Sequence, residues 1–435
     1  VEHVTTTLAN ISETAPRRRL QRDQVIGLLM VALGLFTAWA FGLGAAGRSQ
    51  SQFTFDPVNA SGTVPWHLGA LTLPTRVSCL LAGALIIAGG VEILWRRPHR
   101  ALLARFGGGA VLFFLAILTW ASRTHGPSQV SFVNLTSVLV GGIAPAVVLT
   151  YGSLSGVLCE RAGVVNIAIE GQFLAGAFLG SLIDSVTHNF FFATLGGVVV
   201  GAGLGAILAF FALRYQSDQI IAGVVLASLV ISLGSYLNLQ VLTPYPQYNA
   251  GSPAPNLMIP LLGKIPILGP VLFDENGFFY LVVALVLLLS FGLFRTRWGL
   301  RVRAVGEHPK AAASVGIDVI RTRYVNVILG GVVAGVGGVA LFAWQGQFQP
   351  GITSGYGYIA LAGLIFGRWR PSGVVVAALL FGMSVYLANN LQTYQVPVST
   401  SILLMFPYVV TIFVVSGLIG RVRAPAADGI PYKRD

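Results

Sequence analysis

The 435-residue chain is 55% hydrophobic and 10% charged, with a mean hydropathy of +0.77. Soluble domains carry about 25% charged residues, so this composition excludes a soluble globular protein and predicts an all-α polytopic membrane protein. The formal charge of +12 would suit a nucleic-acid binder, but the order of the basic residues along the chain argues for a membrane topology instead.

Apolar runs of about 20 residues mark membrane helices. They predict about twelve spans, with ten as the lower bound: 25–46, 73–95, 106–122, 131–156, 163–183, 190–213, 220–241, 277–294, 324–344, 355–367, 373–391 and 401–420. The weakest is 355–367, short enough to be broken or re-entrant. With both termini cytoplasmic, 23 of the 27 Lys and Arg fall in inner segments, and only Arg48, Arg76, Arg123 and Lys264 lie outside. That is the positive-inside bias, so the basic excess is topological and no nucleic acid is implied. Residues 1–24 read as a cytoplasmic tail leading into an uncleaved first helix, and 25–130 as an N-terminal addition of three spans. Residues 131–420 form a core richer in glycine, and 421–435 a second cytoplasmic tail. Cys79 and Cys159 sit in apolar or inner-face contexts and read as buried thiols, not a disulfide.

Nothing in the chain can hydrolyse a nucleotide. Its one Gly-Lys pair, Gly263-Lys264, is followed by Ile265 and has Met258 where a phosphate-binding loop needs its first glycine. There is no nucleophile elbow and no zinc-hydrolase motif, and the six histidines never reach metal-ligand spacing. No cofactor or metal is expected on this chain. If transport is ATP-driven, ATP and Mg must be held by a partner ATPase.

Polar residues at membrane depth are the informative exceptions, because each costs a few kcal/mol against lipid. "CERAGVVNIAIEGQFLAGAFLG" (159–180) holds Glu160 and Arg161 at the inner boundary, then Asn166, Glu170 and Gln172 deeper. Asn166 and Glu170 are four apart and share a face if the segment is helical. They line a watery cavity beside a broken helix, or they staple helices together. Ser228, Ser232 and Ser235, with Asn238 a turn beyond, form either a pathway stripe or a packing seam. Gly197, Gly201 and Gly205, and likewise Gly331 and Gly335, recur at the four-residue spacing that lets helices approach closely in lipid. "FAWQGQFQPGITSGYGY" places Phe342, Trp344, Phe348, Tyr356 and Tyr358 near the outer face, as an interfacial belt or a stacking site for a planar ligand. Gln345, Gln347 and Gln349 lie between them. The basic segment 295–324 contains a short helix beginning near Pro309 and stopping at Gly316, in a solvated loop or in a docking element for a cytosolic partner.

Three stretches, "ERAGVVNIAIEGQFLAGAFLG", "RTRWGLRVRAVGEHPKAAASVGIDVIRTRY" and "GYGYIALAGLIFGRWRPSGVVVAALLFG", together resemble the permease subunits of bacterial nucleoside ABC importers. These belong to the wider family of ribose and branched-chain amino-acid permeases. The likeness covers residues 131–420 and implies a type II importer-like permease core in the bacterial inner membrane. It also implies partners: a second related permease, cytosolic ABC ATPase domains and a lipid-anchored extracellular substrate-binding protein. By the same likeness Glu307, His308, Pro309, Lys310, Ala311, Ala312, Ala313, Ser314, Val315 and Gly316 form the coupling helix. Asn166, Glu170 and Gln172, with the Ser228–Asn238 stripe, then belong to the translocation path. The substrate class implied is a nucleoside, with ribose, a branched-chain amino acid or a flavin as alternatives within the family. An ion-coupled carrier is the alternative outside it.

Overall fold

The computed structural model describes residues 22–45, 47, 49–55, 69–96, 102–123, 132–393 and 423–433. The predicted span 401–420 lies outside the described residues. Two compact units are present, Val1–Gln52 with Thr72–Phe132, and Phe53–Leu71 with Val133–Asp435.

The first unit contains α1 (Arg22–Phe36), extended by a π-helical stretch Thr37–Leu43, then α2 (Thr75–Arg96) and α3 (Leu102–Ala121). Helices in lipid gain little from hydrophobic burial against each other and rely on close van der Waals packing. Glycine supplies it here. A Cβ on Gly83 would lie 2.9 Å from the Gly34 carbonyl oxygen, and one on Gly90 2.8 Å from that of Gly27. Both pairs are spaced seven apart, so α1 and α2 run with bare backbone against bare backbone. An Arg105–Glu92 ion pair of 2.7 Å ties α3 to α2, in keeping with the rule that charge near a membrane is paired. Cys79 is a buried free thiol.

The second unit comprises α4 (Leu135–Glu160), α5 (Ile169–Thr187), α6 (Phe190–Ala209), α7 (Gln219–Leu237), the short α8 (Leu268–Leu272) and α9 (Gly277–Arg295). It continues through α10 (Arg297–Glu307), α11 (Pro309–Ser314), α12 (Val319–Gln345), α13 (Tyr356–Phe366) and α14 (Pro371–Thr393). Two three-residue strands, Asn256–Met258 and Asp274–Asn276, pair antiparallel between α7 and α9. Among the described residues eight helices are long and apolar enough to cross a membrane. The predicted span 163–183 becomes helical only at Ile169. The predicted span 355–367 is an 11-residue helix, about 16 Å long against a hydrocarbon core of about 30 Å.

Helix α12 is the axis of this unit, and its glycines explain why. Its Gly331 and Gly335 face Gly201 and Gly197 of α6, where added Cβ atoms would stand 2.2 and 2.1 Å from the opposing carbonyl oxygens. A Cβ added to Gly338 would collide with the Phe173 carbonyl of α5, and one on Gly337 or Gly330 with Tyr151 or Cys159 of α4. Glycines on three sides thus let α4, α5 and α6 close on one backbone. Cys159 is fully buried there as a free thiol.

Gly335→Ala forces α6 and α12 apart and should cost roughly 1–3 kcal/mol, the usual range for overpacking. A lowered thermal-unfolding midpoint of the purified protein would register it. Gly203→Ala, whose added Cβ meets nothing within 4 Å, should not lower the midpoint, since alanine is the better helix former.

Candidate functional site

Residues 161–168 form a non-helical break between α4 and α5. Backbone leaving a helix inside a membrane must find partners in protein or water, and here the polar side chains supply them. The N–H groups of Ala162, Gly163 and Val164 return to carbonyls of Cys159, Glu160 and Cys159. The Val165 N–H donates to Gln219 Oε1 at 2.8 Å, and the Ala168 N–H to Asn166 Oδ1 at 3.1 Å. Asn166 Nδ2 in turn donates to Ser155 Oγ and Gln172 Oε1, each at 3.1 Å. Asn166 and Gln172 are both fully buried. The i, i+4 face proposed for Asn166 and Glu170 is therefore corrected: Asn166 precedes the helix, and its neighbour is Gln172. Gln172 Nε2, Gln219 Nε2 and Asn326 Oδ1 are buried with no hydrogen-bond partner among the described residues.

Glu170 does something different. The chain descends irregularly from α12 and turns at Gly355 (φ 84°) to begin α13. Glu170 Oε1 and Oε2 accept the N–H groups of Gly355 and Gly357, at 2.9 and 2.7 Å. A carboxylate suits the positive end of a helix, and Glu170 also lies in the first turn of α5. The two helix N-termini meet so closely that a Cβ on Gly357 would stand 2.4 Å from the Glu170 nitrogen. Two interrupted spans cross there, with one carboxylate between their N-terminal ends.

Glu160 and Arg161, at the inner boundary in sequence, both engage the neighbouring turn at 368–369. Glu160 is buried and accepts from Trp369 Nε1, while Arg161 donates to the carbonyls of Trp369 and Arg368. Arg368 and Trp369 both have left-handed backbone, φ 57° and 53°, which costs non-glycine residues roughly 1–2 kcal/mol each. The two charged residues clamp that strained turn after α13.

The segment 295–324 is a helical hairpin where the sequence suggested a loop with one short helix. Arg297–Glu307 forms α10, capped by the Thr296 side chain, and Gly299, Val302, Val305 and Gly306 face inward. The expected coupling helix is shorter than Glu307–Gly316: Glu307 ends α10, His308 is non-helical, and only Pro309–Ser314 is helical. Gly316, at φ 84°, follows the stop. Glu307, His308, Lys310, Ala311, Ser314, Val315 and Gly316 are exposed. Ala312 is buried against Val305 and Val319, with Ala313 partly buried in the same cluster.

A family model described as the permease component of branched-chain amino acid transport systems matches residues 138–415. The chain belongs to this permease family. The permease is 36% identical to the nucleoside ABC transporter permease protein NupC of Lactococcus lactis, over 69% of this chain and 98% of the relative. It is 35% identical, with the same coverage, to the guanosine ABC transporter permease protein NupQ of Bacillus subtilis. A putative glucose ABC transporter permease protein, TsgC13 of Haloferax volcanii, is 34% identical over 55% of this chain and 73% of the relative. No solved structure matches.

The α7 stripe and the aromatic cluster of the permease differ in exposure. Ser228 and Ser232 are exposed, and Ser235 and Asn238 half-buried. The buried side of α7 is Gly223, Leu226, Ala227, Val230 and Gly234, and it reaches α5 at bare backbone, with Ala227 Cα 2.8 Å from where a Gly171 Cβ would be. The serines thus look out of this chain, not into its core. Asn238 opens a π-helical stretch that runs to Leu242. Phe342 and Phe348 are core residues, not belt or stacking surface: they are buried and meet the rings of Phe190 and Phe178 at 6.1 and 5.2 Å. Gln345, Gln347, Gln349 and Tyr358 are exposed, while Trp344 and Tyr356 are half-buried. Gln219, which the sequence reading passed over, holds the break open from the start of α7. Its polar side chain beside the first apolar turn of a span was the available signal.

Glu170→Leu strands the buried Gly357 N–H, at roughly 1–3 kcal/mol, and the part-buried Gly355 N–H besides. The expected result is a lower unfolding midpoint as well as impaired uptake. Glu170→Gln, which keeps one acceptor oxygen, should fall between Leu and wild type in the same melt.

Proposed function

We propose that this chain is the membrane-spanning permease subunit of an ATP-driven importer of nucleosides. The observation that carries the reading is the alignment with permeases named for nucleoside and guanosine transport along 98% of their own length. The break at 161–168 and the buried Nε2 atoms of Gln172 and Gln219, which have no hydrogen-bond partner among the described residues, support a route for polar cargo. They are groups that water or a hydroxyl-rich solute would satisfy. Asn166, Glu170 and Gln172 then brace the route, and Ser228, Ser232, Ser235 and Asn238 form its wall on the α7 face, which a second permease closes.

The arginine-rich end, with α10 and α11, faces the cytoplasm under the positive-inside rule. A partner ATPase holds ATP and Mg and receives the exposed side of α11. Closure of the ATPase moves the hairpin, whose Gly306 is packed against the Arg161 carbonyl, so the movement is delivered directly to the break before α5. An extracellular binding protein delivers substrate at the opposite face. A glucose permease among the relatives supports a sugar as the second reading of the cargo.

Labelled adenosine and uridine uptake should depend on the gene and resist competition by excess glucose or ribose. Gene-dependent glucose uptake without nucleoside uptake would replace the first reading with the second. Val315→Asp combined with Lys310→Glu alters only exposed positions of the hairpin and should abolish co-purification of the ATPase, with membrane abundance unchanged. Retained co-purification would remove α11 from the coupling role. Ala312 is unsuitable for this test, because it is packed inside the hairpin.

A further inference from the structure

The turn from α9 into α10 holds three arginines where a spanning helix meets the membrane edge. Leu281, Ala284, Leu288, Phe291 and Arg295 recur every three or four residues along α9, and all are exposed. An exposed apolar stripe on a helix fit to span a membrane has lipid as its solvent, and this one ends on a guanidinium. The chain then turns back sharply. The Thr296 hydroxyl donates to the Gly292 carbonyl at 2.6 Å and accepts from the Gly299 N–H at 3.2 Å. A Cβ on Gly299 would collide with the carbonyls of Gly292 and Leu293. The first turn of α10 therefore lies beside the last turn of α9, at the depth where hydrocarbon gives way to headgroups. Trp298, half-buried against Gly292, is of the residue type that marks such an interface.

Helix α10 divides its residues between two faces. Gly299, Val302, Val305 and Gly306 are buried. Arg297, Leu300 and Arg301, at i, i+3 and i+4, share the other face and are exposed, Leu300 by 62%. A leucine set between two arginines suits an interface, with its apolar part among acyl chains and its charges among phosphates. Arg295, Arg297 and Arg301 make no hydrogen bond or ion pair among the described residues. The acids that follow them are engaged elsewhere: Glu307 accepts from the Ala426 N–H, and Asp318 caps the start of α12. Arg303, by contrast, lies over the Phe294 ring at 5.2 Å. We propose that this face binds an anionic phospholipid such as phosphatidylglycerol, with Arg297 and Arg301 on its phosphate, Arg295 adding charge and Leu300 among its acyl chains. The planar guanidinium fork matches a phosphate. A zwitterionic lipid offers the same phosphate but offsets it with an amine, so net charge sets the preference. A lipid held there ties the first half of the α10–α11 hairpin to the bilayer and leaves the exposed side of α11 free. The inference needs a membrane but no particular solute, so it stands whichever cargo is carried.

The test is native mass spectrometry of the full chain in detergent micelles, titrated with phosphatidylglycerol or with phosphatidylcholine. Phosphatidylglycerol should bind more tightly, and its advantage should shrink as ionic strength is raised, because exposed charges are screened. Arg297→Gln with Arg301→Gln should weaken phosphatidylglycerol about fivefold per arginine removed and leave phosphatidylcholine unchanged. Arg214→Gln with Arg321→Gln removes two exposed arginines elsewhere in the same unit and should change neither. Equal affinity of the wild type for both lipids at low salt, or an equal loss in both double variants, would overturn the proposal. Unchanged phosphatidylglycerol binding after Arg297→Gln with Arg301→Gln would overturn it too, and lost co-purification of the ATPase in that variant would then give this face to the ATPase.

Discussion

The second unit depends on one carboxylate between two helix ends. Helices α5 and α13 each begin inside the protein, and each presents N–H groups that no preceding turn can satisfy. Glu170 answers this from within α5 by accepting both Gly355 and Gly357. Gly357 has to be glycine because the backbone of α5 occupies the space a side chain would need. Without that crossing the irregular stretches on either side would lose their support, and so would the clamp that Glu160 and Arg161 place on the turn after α13. The polar residues at depth are thus an internal solvent for interrupted backbone. That role is compatible with lining a route, since interrupted spans are tolerated where protein or a water-filled space satisfies them.

The second constraint is the absence of side chains along α12. Because lipid tails are as apolar as leucine, helices gain by approaching until their backbones touch. Gly331 and Gly335 do this against Gly197 and Gly201, while Gly338 does it against α5. Three helices held at one axis leave α7 on the periphery, attached to α5 mainly through small residues. The serine-bearing surface of α7 is consequently free to meet another chain.

These two constraints differ in how far they could be read beforehand. The spacing of Gly197, Gly201 and Gly205, and of Gly331 and Gly335, announced close helix approach, because the pattern is local and the requirement is steric. Unbroken apolar runs announced the long spans for the same reason. Glu170 was visible as an anomaly, but its partners are 185 and 187 residues away, and no local rule links them. The helix α10 was obscured by its arginines. Its inward positions 299, 302, 305 and 306 carry the helical period, yet two of the four are glycine and contribute no apolar signal. Phe342 and Phe348 read as membrane-surface aromatics because nearness in sequence to an outer loop does not report burial. The contact of residues 423–433 with α10 and α12 was silent for a further reason: the stretch is held by its own backbone groups, which bond the Gly306 carbonyl, Glu307 and Arg323, and a sequence pattern does not record backbone partners.

The brevity of α13 also bears on how the protein enters its membrane. A segment of 11 helical residues is too short to partition into the bilayer as an independent span. The irregular stretch before it would expose bare peptide groups to hydrocarbon, at several kcal/mol each. It can settle at depth only after α5 stands ready with Glu170 and α12 has been laid down beside it. Biogenesis is therefore ordered: the long helices insert first and form a cradle, and the short one is admitted by protein and not by lipid.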